Sequence, residues 1–215
     1  MRTYIYIDGF NFYYGAVKGT KYKWLDFKSL LKIVLKSHHI ISCIKYFTAT
    51  VSATSDDPDK TVRQETYLRA LEAYVPEIEI FYGHFLSHNV SMPLAAPVPP
   101  NKFFQTVIKT EEKGSDVNLA VHLINDAWLN LYDCAVIVSN DSDLAEAMRL
   151  VKLHHPTKTL GLITPDGARS NRTRTSSELR MHADFVRLTR TGALKRSQLP
   201  TVIPGTAIRK PSRWS

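Results

Sequence analysis

The chain has 215 residues, enough for one well-cored α/β domain or for one domain with a tail. Its hydrophobic fraction of 44% excludes a disordered chain, and the absence of an apolar run of about eighteen residues and of a secretory leader makes the cytoplasm the expected location, with no membrane partner. The formal net charge is +8; from Lys152 onward Asp166, Glu178 and Asp184 are the only acids while Arg169, Arg172, Arg174, Arg180, Arg187 and others accumulate, which points to nucleic acid or another phosphate-rich partner.

The predicted elements alternate between strand and helix. A strand near 3 to 8 runs into the turn YIDGFN, and a helix around 26 to 37 carries Phe27, Leu30, Leu31, Val34 and Leu35 at helical spacing. A β-branched and aromatic strand follows near 41 to 50, then a helix in SDDPDKTVRQETYLRALEAYV, entered through a proline and ended before Pro76. EIEIFYGHF reads as a more exposed strand. Between Leu86 and Phe104 four prolines predict an irregular loop near a ligand.

A strand returns in FFQTVIKT. The helix in EEKGSDVNLAVHLINDAWLN carries an apolar stripe of Val117, Val121, Ile124 and Trp128. CAVIVS is a central strand, followed by a helix from about Asp143 to Leu153, a strand at TLGLIT, a helix around SSELRMHA and a short strand at DFVRL. Past about Thr191 no period is legible, so residues 191–215 are expected to form an extended basic tail that packs back on, or trails from, a domain of residues 1–190. Cys43 and Cys134, inside apolar runs with no metal-ligand spacing, read as core filling. The order of elements predicts an α/β fold, Rossmann-like, with a mostly parallel central sheet and helices on both faces.

Two buried strands in this scheme end on acids: the first at Asp8, the central one at Asp141 and Asp143 in CAVIVSNDSDLAEAMRLV. Parallel neighbours deliver such residues to the carboxyl edge of the sheet, where open α/β folds place their ligands. Asp116 opens a helix after Gly114 and faces the same edge if the strand before it is parallel. Each acid alone is explained by helix capping or the helix dipole. Together they are not, because carboxylates about 4 Å apart repel by roughly 1 to 4 kcal/mol per pair. An all-oxygen cluster selects a hard cation, Mg²⁺ or Mn²⁺ rather than zinc, able to promote phosphodiester cleavage. No GxxxxGK[ST] loop and no GxSxG elbow is present.

IDGFNFYYG, EEKGSDVNLAVHLINDAW, YDCAVIVSNDSDL and SSELRMHADFVRL together resemble the NYN family of PIN-like domains, of the bacterial LabA-like type, over about residues 3 to 190. The resemblance implies a PIN-type fold and metal-dependent ribonuclease activity, with Asp8, Asp116, Asp141 and Asp143 as the metal-site acids and catalytic residues. Asn11 and Asn140 would be polar neighbours orienting water or phosphate; the family commonly has glycine where this chain has Asn140. Lys113, Arg169, Arg172 and Arg174 are the expected phosphate contacts, whereas Glu111 and Glu112 read as solvated strand-end acids. Among Phe10, Phe12, Tyr13 and Tyr14, at least two are expected in the core and the others could stack on bases. The expected function is Mg²⁺- or Mn²⁺-dependent hydrolysis of RNA; a non-catalytic nucleic-acid-binding module and a DNA nuclease are the alternatives, and oligomeric state is open.

Overall fold

The computed structural model describes residues 1–98, 102–165 and 175–214. In chain order the elements are β1 (Arg2–Asp8), α1 (Gly9–Phe12) continued by a π-helical turn (Tyr13–Val17), α2 (Phe27–Val34), β2 (Ile40–Ala49), α3 (Lys60–Tyr74), β3 (Ile78–Val98), β4 (Lys102–Lys113), α4 (Ser115–Trp128), β5 (Cys134–Val138), α5 (Ala145–His154), β6 (Thr159–Thr164), α6 (Ser177–His182), β7 (Phe185–Leu188) and α7 (Thr191–Arg196). They build one seven-stranded sheet in the order β4-β3-β2-β1-β5-β6-β7, parallel throughout except where β4 pairs with β3.

Every residue of Cys134–Val138 is buried, because β5 lies inside the sheet with helices over both faces. That is why its sequence is a continuous apolar run rather than an alternating one. Alternate residues feed two cores. Ile5, Ile7, Ile44, Val136 and Val138 pack with α2, α3 and Trp24 on one face. Tyr6, Phe47, Ala135 and Ile137 pack with α4, α5 and Leu179 of α6 on the other. From β1 the chain winds outward through β2 and β3, then crosses back to β5 and continues to β6 and β7. The winding direction reverses between β1 and β5, and the crevice at such a reversal is where these sheets take ligands.

Inside the second core, Lys45 of β2 lies 2.6 Å from Asp126 of α4, with 9% and 3% of the two side chains exposed. The same Asp126 oxygen accepts the Tyr6 hydroxyl of β1 at 2.7 Å. One buried carboxylate thus ties α4 to the two central strands.

The structure corrects three expectations. Residues 86 to 98 do not form an irregular loop: β3 continues to Val98 and folds back as β4, paired from His84↔Lys113 to Pro93↔Phe104 without a shift. β3 leaves β2 after Gly83, so beyond that point one edge of the ribbon has no strand beside it, and proline is tolerated there because no ladder partner needs its N–H. On α4 the stripe Val117, Val121 and Trp128 is exposed, and Leu119, Leu123 and Ala127 are buried instead. Both stripes have helical spacing, and the buried one shares its side with Asp126, whose ion pair lies in the core. Past Thr191 the chain forms the short α7, too brief to show a period, and Leu194, Leu199 and Ile203 enter the first core. The Trp24 indole donates to the Pro200 carbonyl at 2.9 Å. Among the described residues no helix is long and apolar enough to cross a membrane.

Candidate functional site

Asp8, Asp116 and Asp141 each place a carboxylate oxygen within 4.8 Å of the others. Asp8 is the last residue of β1 and is 4% exposed. Its Oδ1 accepts the Asn11 N–H at 2.9 Å, capping α1, and its Oδ2 accepts the Ser139 hydroxyl at 2.9 Å. Gly9 lets the chain turn there: a Cβ would meet the Phe47 carbonyl at 2.7 Å and the Tyr46 ring at 2.8 Å. Asp141 follows β5, donates its N–H to Ser139 Oγ at 3.0 Å, and caps a 3-10 turn by accepting the Asp143 N–H at 3.0 Å.

Asp116 arrives by a route the sequence does not suggest. The strand before it is antiparallel, but the β3–β4 ribbon projects past the carboxyl edge of β2, so β4 descends to that edge from beyond it. Gly114, with φ 98°, turns the chain into α4 through the left-handed region that glycine enters freely. Glu112 accepts the Ser115 N–H at 3.1 Å and the Ser115 hydroxyl at 2.7 Å, which fixes the start of the helix carrying Asp116.

Among the described residues no Lys, Arg or His is ion-paired with any of the three acids. Burial, then the charges of Asp8, Asp141, Glu112 and Asp143, push Asp116 from the ordinary 3.8 to about 6. Burial also raises Asp8, against the hydrogen bonds from Asn11 and Ser139, with the charges of Asp141 and Glu112 adding to the rise. Crowded oxygens with no cation paired to them among the described residues fit a hard divalent ion, and the trio contains no histidine or thiolate.

An acid whose pKa is higher folded than unfolded destabilises the fold as it ionises. For Asp116 the penalty is absent below pH 3.8, grows between there and about 6, and is complete above that. Asp116→Asn is therefore expected to raise the melting temperature of cation-free protein at pH 7.5, with the gain shrinking towards pH 4. Melting curves in chelator across that range check this; a gain independent of pH would contradict it.

The other predicted residues are distributed unevenly. Asp143 is exposed and lies outside the trio, although its charge is felt at Asp116. Asn11 and Asn140 brace the loops: Asn11 Oδ1 accepts the Asn140 N–H at 2.9 Å, and Asn140 Oδ1 accepts the Ser176 N–H at 2.8 Å. Lys113 lies 3.1 Å from Glu111, which also pairs with Lys109. Arg169, Arg172 and Arg174 lie outside the described residues. Phe12 is buried, Phe10 packs edge-on against Phe85, and Tyr14 is 61% exposed. Sequence reasoning underrates Glu112 and misses Ser139; the signals available were an acid three residues before Ser115 and a hydroxyl between the strand and Asp141. The trio opens into a cleft of about 1590 Å³, lined also by Glu112, by the ribbon and by cations of α3 and the C-terminal segment.

An open sheet wound both ways from β1, with carboxylates converging at its switch point, defines a PIN-like α/β domain with an acidic centre. The chain belongs to the NYN domain family, a family of nuclease type, whose model matches residues 2–189. It is similar to 6-hydroxy-3-succinoylpyridine 3-monooxygenase HspA of Pseudomonas putida (strain DSM 28022 / S16), at 35% identity over 239 aligned positions that cover 100% of this chain and 75% of that protein. A crystal structure of a protein of unknown function from Vibrio parahaemolyticus, VPA0982, shares the fold with a TM-score of 0.52 at 18% identity, covering 92% of this chain and 96% of the other.

Proposed function

We propose that this protein is a Mg²⁺- or Mn²⁺-dependent ribonuclease that hydrolyses phosphodiester bonds in single-stranded RNA. The observation that carries the proposal is the convergence of Asp8, Asp116 and Asp141, with no cation paired to them among the described residues, in a cleft at the switch point of a nuclease-type domain. These three carboxylates would hold the ion, with Asp143 on the rim. A divalent cation bound there supplies activation of water and neutralisation of the oxygen that leaves. Asp8 is held ready by its two hydrogen bonds, so neither oxygen has to reorient. Asp116, with its pKa near 6, must give up a proton before it can act as a ligand.

That proton sets a pH dependence. Mn²⁺ affinity is expected to rise about tenfold per pH unit below 6 and to level off above, with proton release on binding. Titration calorimetry in buffers of different ionisation enthalpy measures this directly. Asp8→Asn and Asp141→Asn should both weaken the affinity, and unchanged affinity in the two variants would reject the site.

Incubation of labelled single-stranded RNA with purified protein, with and without Mn²⁺, tests the activity. Binding without cleavage would favour a non-catalytic nucleic-acid-binding module, and cleavage of DNA alone would shift the substrate. The name of the Pseudomonas relative motivates a second reading, oxygenation of a hydroxylated pyridine. Loss of 6-hydroxy-3-succinoylpyridine under oxygen with an added reductant, retained in Asp141→Asn, would favour it; the all-carboxylate donor set favours the nuclease.

A further inference from the structure

The cleft above the acids has two unlike walls. On one side Lys18, Lys23, Lys60, Arg63 and Arg213 line it, five cations against Asp56 and Asp57. Asp57 is engaged by two of them, with Arg63 at 2.6 Å and Arg213 at 2.8 Å. Lys18, Lys23 and Lys60 form no ion pair among the described residues. Burial, then the charges of Arg63 and Arg213, lower the Lys23 pKa against the opposing charge of Asp57. These residues come from the segment after α1, from α3 and from the C-terminal segment, so only the fold assembles them.

The other wall is one face of the β3–β4 ribbon, where Phe85, Ser87, Ile108 and Thr110 line the cleft. Thr110 is paired with Ser87, and the alternation of side chains along the unshifted register puts Phe104 on the same face as Ile108. Phe104 is 59% exposed and Ile108 75% exposed. Before the Glu112 end of the ribbon, this face carries no charged side chain among its paired residues from Phe85 to Pro93 and from Phe104 to Thr110.

One wall thus suits phosphates and the other suits bases. We infer that single-stranded RNA lies in this cleft with its backbone against Lys18, Lys23 and Lys60 and its bases against Phe104 and Ile108 of the ribbon. This rests on the ribonuclease proposal and adds to it the orientation of the strand and the residues that select unpaired RNA. A duplex turns its base faces inward and has none to offer Phe104, whereas a single strand can stack on an aromatic ring and follow a line of cations.

The test uses the full chain in chelator, with a fluorescent single-stranded RNA 12-mer and the same sequence as a duplex, read by anisotropy over a salt series. Lys18→Gln with Lys60→Gln is expected to reduce the salt dependence of single-strand binding by about 1.4 log units per log unit, roughly 0.7 for each phosphate no longer neutralised. Phe104→Ser with Ile108→Ser should weaken single-strand binding about tenfold or more at every salt concentration, leaving the slope and the duplex affinity unchanged. All four side chains lie at the surface or on the cleft wall, outside the two cores, and a melting curve for each variant confirms that it is folded. If wild type binds the strand and neither pair of substitutions changes slope or affinity, the two-walled track is overturned while the nuclease proposal stands. An equal loss for strand and duplex in the ribbon variant overturns the base-facing role. If wild type binds no RNA at any salt concentration, both readings fall.

Discussion

Asp141→Asn is expected to reduce RNA cleavage a hundredfold or more, on the order of what is lost when one charge-stabilising group is removed from an active site, while RNA binding stays equal or tightens slightly. The two effects separate because different parts of the cleft carry them. Under the proposed function, binding would draw on the cations that line the wall beyond the acids, whereas hydrolysis would need all three carboxylates of Asp8, Asp116 and Asp141. Asn keeps the shape of Asp and leaves an oxygen to accept the Asp143 N–H, so the turn after β5 is retained. The measurement pairs cleavage rates with anisotropy, using purified variants of equal folded fraction and chelator controls. Unchanged cleavage in Asp141→Asn and Asp116→Asn would assign the activity to another site or to a contaminant.

Asp126→Ala is expected to cost about 3 to 5 kcal/mol of stability, the range for breaking a buried ion pair from one side. It removes the carboxylate paired with the Lys45 ammonium, whose side chain is 9% exposed and would keep only His122 Nδ1, at 3.2 Å, as a hydrogen-bond partner, and it removes the acceptor of the fully buried Tyr6 hydroxyl. Burial and the adjacent Asp126 hold the Tyr6 phenol far above its ordinary pKa, so it stays a neutral donor that must find a partner. Combining Asp126→Leu with Lys45→Met should recover the part of the loss that comes from the unpaired ammonium, while the part that comes from the Tyr6 hydroxyl, still without its acceptor, remains. Chemical denaturation of the single and double variants gives the coupling. Asp126 ties α4 to the central strands, so Asp126→Ala should also weaken Mn²⁺ binding although it holds no ion.

The carboxyl-edge acids were legible because β1 and β5 are apolar runs that stop on Asp8 and just before Asp141, a pattern carried by a few neighbouring residues. Asp116 was legible as a candidate, but through a parallel strand that does not exist; the ribbon brings it in from the other side. The ribbon itself was hidden because its prolines read as a loop, and a strand with one open edge escapes that rule. The face of α4 was hidden because two apolar stripes compete, and only the partner strands decide which is buried. The cationic wall was not legible in any segment, since Lys18, Arg63 and Arg213 belong to elements that meet only in three dimensions.

The place of β1 in the sheet also constrains how the molecule is made. β1 ends at Asp8, yet the strand that completes its second flank, β5, begins at Cys134. At about 5–20 residues per second, a ribosome needs roughly 6 to 25 s to travel that stretch. During that interval Ile5 and Ile7 have no β5 beside them, and Asp8 has neither Ser139 nor Asp141 within reach. A nascent chain therefore has no assembled carboxylate trio until β5 docks, and the acidic centre is completed together with closure of the central sheet.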